Sequence, residues 1–220
     1  NLMLQAATVG DFFEVNRAFS LPGNDALMMN ATNVRHFKEV QSVCEFEQRP
    51  FMSEVMGVQG WGQTPAQMKI TANAATAYGV TQMVPHGVNL ERNMEAVLHP
   101  ADWFEDNPYW ETITEWNDFC RRAAFINSQG KLAARTLLYC PMTSIYPLSR
   151  NYLSGRAARG AWDNSLASDI NGTYLRLQTE LTALHIEFLI ADDHYIEKGI
   201  VSSQEDELKI LHHQFSSIIL

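Results

Sequence analysis

A glutamate at the end of a short apolar run is the most informative residue in the sequence. Phe51-Met52-Ser53-Glu54-Val55-Met56 reads as a short buried strand. Glu54 lies at its C-terminal end, just before a loop in which Gly57, Gly60 and Gly62 surround Trp61. A carboxylate among apolar neighbours is partly desolvated, which suits acid/base work. Glycosidases need two carboxylates flanking the scissile bond, one as acid and the other as base or nucleophile. Aromatic faces such as that of Trp61 commonly bound sugar sites. The plain structural alternative is a solvated strand-end glutamate paired with a helix N-terminus, and the residues alone leave both open. His86, in Val84-Pro85-His86-Gly87, closes the next strand on the same face. It could hydrogen-bond a sugar hydroxyl or serve as a structural histidine bonded to backbone. Asp25 follows the turn glycine Gly23 and could bind substrate or cap the helix after it. Asp102, Glu105 and Asp106 precede a helix start at Asn107-Pro108; they could coordinate a hard cation such as Ca2+ or form a solvated loop. Of the aromatic residues near them, Trp103 and Tyr109 could stack on sugar or join the core, and Trp110 is assigned to the core.

These residues need elements to hold them. Pro22-Gly23 has turn chemistry, followed by a helix from about Ala31 to Val43. Thr64-Pro65 opens a helix that runs to about Tyr78 and ends at Gly79, with Met68, Ala72, Ala75 and Tyr78 on one stripe. Val80 to Val84 is the next strand. Residues 88–106 read as a long loop, and Pro108 to about Ser128 as a helix with Tyr109, Ile113, Trp116, Cys120 and Ala123 at helical spacing. A strand at Arg135–Pro141, an irregular stretch over 142–168, and a helix carrying Ile170, Tyr174, Leu177, Leu181 and Leu184 come next. Strands are expected at Ile186–Ile190, Leu208–Leu211 and Ser217–Leu220. Strands separated by helices argue for an α/β fold with parallel sheets. The expected boundary lies at 130–134. Residues 1–131 would be the last strands and helices of a (β/α)8 TIM barrel, whose active site lies at the C-terminal strand ends. Residues 132–220 would be part of an open, doubly wound parallel sheet of flavodoxin-like type, with Asp192, Asp193 and His194 at its ligand-binding edge.

Composition bounds the function. Of 220 residues, 46% are hydrophobic and 19% charged, enough for a sizeable core. Lys and Arg total 16 against 25 Asp and Glu, a net charge of −9, so nucleic acid and anionic membranes are poor partners. No apolar run approaches the length of a membrane-spanning helix. Cys44, Cys120 and Cys140 are odd in number and far apart, which suits neither a disulfide framework nor a zinc ribbon; small buried hydrophobes are expected. His212 and His213 are adjacent, on opposite faces if they lie in a strand, so a shared metal is not expected. The second part lacks a phosphate loop, a dinucleotide fingerprint, a nucleophile elbow and a Cys/His/Glu set for amidotransfer. The chain begins without Met and ends in the apolar run Ile218-Ile219-Leu220, which leads us to expect a piece of a longer protein.

Five motifs in order carry a resemblance. Pro22-Gly23-Asn24-Asp25-Ala26-Leu27, Ser53-Glu54-Val55-Met56-Gly57 with Gly60-Trp61, Tyr78-Gly79-Val80 leading to His86-Gly87, Asn107-Pro108-Tyr109-Trp110, and Ser128-Gln129-Gly130-Lys131 through Cys140-Pro141 resemble the barrel of the α-L-rhamnosidase-like glycoside hydrolases of family 106. The resemblance covers roughly residues 10–145. The chain after residue 165 is similar to the amidotransferase-like α/β domain that follows the barrel in that group. The resemblance implies an inverting glycosidase acting on plant or microbial polysaccharides, outside the cytoplasm. It makes Glu54 the catalytic carboxylate that activates water, with the partnering acid on an earlier strand; Trp61, His86 and Asp25 stand beside it as the substrate-binding candidates read from the residues. No cofactor is required for the chemistry; calcium near the sugar is implied, without assignable ligands. Thr81-Gln82 stands where that group has an Asn after Gly-Val, and Val88-Asn89-Leu90 replaces the aromatic expected after His-Gly. These departures keep a second expectation in view, a carbohydrate-binding relative without turnover.

Overall fold

A computed structural model describes residues 11–26, 34–56, 60–88, 105, 107–148, 164–202 and 207–220. Helix α1 (Phe12–Arg17) starts at Asp11, whose carboxylate accepts from the N–H groups of Phe13 and Glu14. Those donors would otherwise go unmet at a helix start. Asn16, fully buried, accepts from the Gly23 N–H at 2.9 Å and donates to the Phe12 carbonyl at 2.9 Å. That side chain ties strand β1 (Gly23–Ala26) to α1. Helix α2 (Val34–Glu47), β2 (Met52–Val55), α3 (Pro65–Ala77), β3 (Gln82–Pro85) and α4 (Ile113–Gln129) follow. The three strands form a parallel sheet in the order β1-β2-β3, with Asp25 opposite Glu54 and Glu54 opposite Val84. Parallel neighbours need a crossover, here α2 and α3.

Helix α3 forms where its local chemistry dictates. Thr64 and Gln67 make a reciprocal capping box, Pro65 sits in the first turn, and Gly79 takes a φ of 81° just past the end. Helix α4 is tied back to it. Trp116 Nε1 donates to the Met68 carbonyl at 3.0 Å, and Asn127 Nδ2 to the Thr76 carbonyl at 2.9 Å.

The rest of the chain gives β4 (Thr136–Tyr139), α5 (Met142–Ile145), α6 (Ser165–Ala183), β5 (Phe188–Ala191), α7 (Asp193–Ile196), β6 (Gly199–Ser202), β7 (Glu207–Ile210), β8 (His213–Phe215) and β9 (Ser217–Ile219). A second parallel sheet runs β5-β4-β9, and β6-β7-β8 is antiparallel. Helix α2 serves both parts. Phe37, Val40 and Cys44 pack with Phe51, Val55, Ala72 and Trp116, whereas Val43 and Phe46 pack with Leu137, Leu189 and Tyr195. Ser42 Oγ accepts from the Ile190 N–H at 2.8 Å and donates to the Lys38 carbonyl. Lys38, its ammonium nearly buried, pairs with Glu187 and donates to Gln41. Tyr174 OH on α6 donates to Glu39 at 2.7 Å.

The α/β class with parallel sheets agrees with the sequence; several local expectations do not. Gly23-Asn24-Asp25 is strand, not turn, because pairing with β2 and burial override weak strand propensity. Helix α2 reaches Glu47 rather than Val43, since Cys44 and Phe46 still find core. Trp110 is 40% exposed on a single 3-10 turn ahead of α4, so the buried stripe of α4 begins at Ile113. On α6 the buried positions are Ala167, Asn171, Tyr174, Gln178 and Leu181; Leu184 lies beyond the last turn, exposed. Residues 142–148 are helical rather than irregular. Strand β6 was not expected, and the Leu208–Leu211 run is antiparallel, outside the parallel sheet. His212 sits in the turn before β8, so it does not oppose His213 across a strand.

Candidate active site at the carboxyl ends of the first sheet

Strand alternation decides which side chains can meet. On β2, Val55 and the preceding Phe51 face the helices, where both join the core with α2 and α3. Met52 and Glu54 therefore face the other way. On β3 the same face carries Gln82 and Val84 and, one step past the strand, His86. The His86 N–H donates to the Val55 carbonyl at 2.9 Å, which extends the ladder beyond Pro85. That step brings His86 Nδ1 within 2.9 Å of Glu54 Oε1. The two side chains are 23% and 15% exposed. A carboxylate can only accept, so the ring proton belongs on Nδ1. Glu54 Oε2 is buried and has no hydrogen-bond partner among the described residues. An unmade bond of this kind costs about 1–3 kcal/mol. Met56, fully buried, takes a φ of 58°, a left-handed conformation that side chains disfavour; the chain turns there, directly after β2.

Asp25 is the in-register neighbour of Glu54 on β1 and shares its face. It is half-buried within the strand, well ahead of α2, so the helix-cap alternative is set aside. Trp61 lies on a 3-10 turn (Gly60–Gly62) after β2; its Nε1 is buried without an acceptor among the described residues. The structure thus joins Asp25, Glu54 and His86 at three adjacent strand ends. A cleft of about 700 Å3 lies elsewhere. It opens at the amino ends of β2 and β3, lined by Gln41, Arg49, Phe51, Gln82, Lys131 and His212. Residues 27–33 after β1, 57–59 after β2 and 89–104 after β3 fall outside the described residues.

Asp102, Trp103 and Asp106 also fall outside them; Glu105 is exposed. Among the described residues no cluster of His, Cys, Asp and Glu could hold a metal ion. All three cysteines are buried and unpaired with one another. Burial pushes the Cys120 thiol up to about 12 and raises those of Cys44 and Cys140, which leaves them inert. At the edge of the second sheet, Asp192 caps α7 and bonds Arg17 at 2.6 Å, while Asp193 accepts from Tyr139 OH at 2.6 Å and from Thr143. Burial raises the Asp192 carboxyl, and Arg17 pulls it back. These carboxylates fasten the edge to α1 and α5. Sequence reading missed that bond because Arg17 and Asp192 are far apart along the chain.

No protein-family model matches the chain. A stretch of 88 residues is 26% identical to a Formosa agariphila protein named "Putative beta-glucuronidase", over 38% of this chain and 8% of that protein. The fold is similar to that of a rhamnosidase from Novosphingobium sp. PP1Y, with a TM-score of 0.62 and 13% identity, over 95% of this chain and 19% of that one. The chain therefore spans less than a fifth of the rhamnosidase and a smaller share of the Formosa protein. One glycosidase by name is related in sequence and another is similar in fold.

Proposed function

We propose that this chain is part of a glycoside hydrolase in which Glu54 activates water for attack at the anomeric carbon of a terminal sugar. The observation that carries the reading is the position of Glu54. It stands at the carboxyl end of the middle strand, turned away from the helices, between Asp25 and His86, in a fold shared with a rhamnosidase. In this reading β1, β2 and β3 are consecutive strands of a (β/α)8 barrel of the family 106 type. Residues 132–220 form part of its amidotransferase-like accessory domain. The substrate is an α-L-rhamnoside met outside the cytoplasm.

The reaction proposed is inverting. Glu54 takes a proton from water as the water oxygen bonds to the anomeric carbon. The bond to the leaving oxygen breaks, and a second carboxylic acid protonates that oxygen. Parallel strands lie about 4.8 Å apart, whereas an inverting pair needs carboxyl groups roughly 6.5–9.5 Å apart. Asp25 is thus better suited to a sugar hydroxyl than to the acid, which we assign to a strand outside this chain. Trp61 stacks on the sugar, and His86 can reach a hydroxyl through Nε2. No step passes through a cation. The test is hydrolysis of p-nitrophenyl α-L-rhamnopyranoside by the intact protein, followed by NMR. Release of β-L-rhamnose as the first product is expected. α-L-Rhamnose first would contradict inversion, and sugar binding by calorimetry without turnover would establish the binding relative instead.

A further inference from the structure

We infer that His86 is a positioning residue for Glu54, acting through Nδ1, rather than chiefly a sugar contact. The inference rests on the catalytic reading of Glu54. Three observations fix the pair. The His86 backbone N–H is bonded to the Val55 carbonyl at 2.9 Å, so the backbone that carries the ring is held by the sheet ladder. His86 Nδ1 meets Glu54 Oε1 at 2.9 Å, with both side chains largely buried. The second carboxylate oxygen, Oε2, has no partner among the described residues.

A glutamate side chain has three rotatable bonds, and a general base must hold its reacting oxygen within hydrogen-bond reach of the proton it removes. The Nδ1 bond takes one oxygen out of play and fixes the carboxylate plane. Oε2 then remains as the carboxylate oxygen that His86 does not hold. A misplacement of about 1 Å at such a group can cost on the order of 100-fold in rate. The bond also selects the ring tautomer, Nδ1–H with Nε2 as acceptor.

Side-chain geometry supplies a discriminating test in the intact protein. The amide nitrogen of Asn falls near the place of Nδ1, and that of Gln near Nε2. His86→Ala should lower kcat on the aryl rhamnoside by about 100-fold with little change in KM. His86→Asn should restore most of the loss, and His86→Gln should not. Glu54→Gln, measured alongside, reports on the catalytic reading itself. Full activity in Glu54→Gln removes the carboxylate from the chemistry. A dead Glu54→Gln with an active His86→Ala overturns only the positioning role. A KM effect rescued by His86→Gln makes His86 a sugar contact through Nε2 and overturns the inference. A readout independent of turnover is the 15N NMR signature of the His86 ring. The Nδ1–H tautomer is expected in the wild type and its loss in Glu54→Ala; an Nε2–H ring in the wild type would overturn the pairing.

Discussion

His213 shows what burial does to a single group in this fold. Its side chain is 6% exposed, and its Nε2 has no hydrogen-bond partner among the described residues. Glu45 Oε2 lies 3.7 Å away, too far for a hydrogen bond, although close enough to count as an ion pair if the ring were charged. Desolvation, then the neighbouring His212, push the ring down to about 4, so the neutral form prevails over that pairing. Burial also raises Glu45. The folded state thus resists a proton that the unfolded chain takes up near 6.5. Stability from this ring is whole above pH 6.5 and is lost as pH falls toward 4, by on the order of 2–3 kcal/mol. Glu45 offsets part of this, because its raised carboxyl gains a proton earlier in the folded state. Urea unfolding at pH 7 and pH 4.5 should show the loss in the wild type and a flatter response in His213→Phe; equal losses would refute it. At this scale the placement of Glu54 and His86 near the carboxyl ends of neighbouring strands was legible in the sequence, because each lies toward the end of a short apolar run followed by glycine. The capping alternative for Asp25 failed because nothing local marks Gly23-Asn24-Asp25 as strand. Its partner strand lies beyond an intervening helix.

Among the elements, α3 could be read from local signals alone: N-cap, first-turn proline and terminal glycine. Strand β7 was expected at Leu208–Leu211, but β6, β8 and the antiparallel pairing of the three could not be read, because that pairing depends on cross-strand contacts. At Gly199 a side chain would meet the Ile196 carbonyl oxygen at 2.9 Å, a close approach with no local sequence mark. Helix α2 was mislocated at its end for a similar reason. Its last turn is held by core contacts of Phe46, and the turn before it by Ser42, which accepts from the Ile190 N–H of β5. Ser42→Ala leaves that buried N–H unpaired and should cost about 1–3 kcal/mol. A denaturant midpoint equal to the wild type would show that the bond contributes nothing.

For the molecule as a whole, α2 couples the two parallel sheets. The core around β4 and β5 includes Phe13, Val43 and Phe46 from the amino-terminal side. A chain limited to residues 132–220 lacks them, and deleting even one buried Phe side chain typically costs about 3–5 kcal/mol. That fragment should show no sharp thermal transition and little near-UV dichroism; a cooperative transition would mean that its core is sufficient by itself. The same coupling explains why the α/β class was legible from strand and helix order, whereas the sharing of a helix between two cores was not. The sequence marks a helix there, not that its apolar residues divide between two cores. Glu54 carries the proposed reaction. The most direct measurement is the turnover of Glu54→Gln in the intact protein on an aryl α-L-rhamnoside, with sugar binding followed in parallel by calorimetry. Unchanged binding and a loss of about 100- to 10,000-fold in kcat are expected. Wild-type turnover in the variant would contradict that role for Glu54.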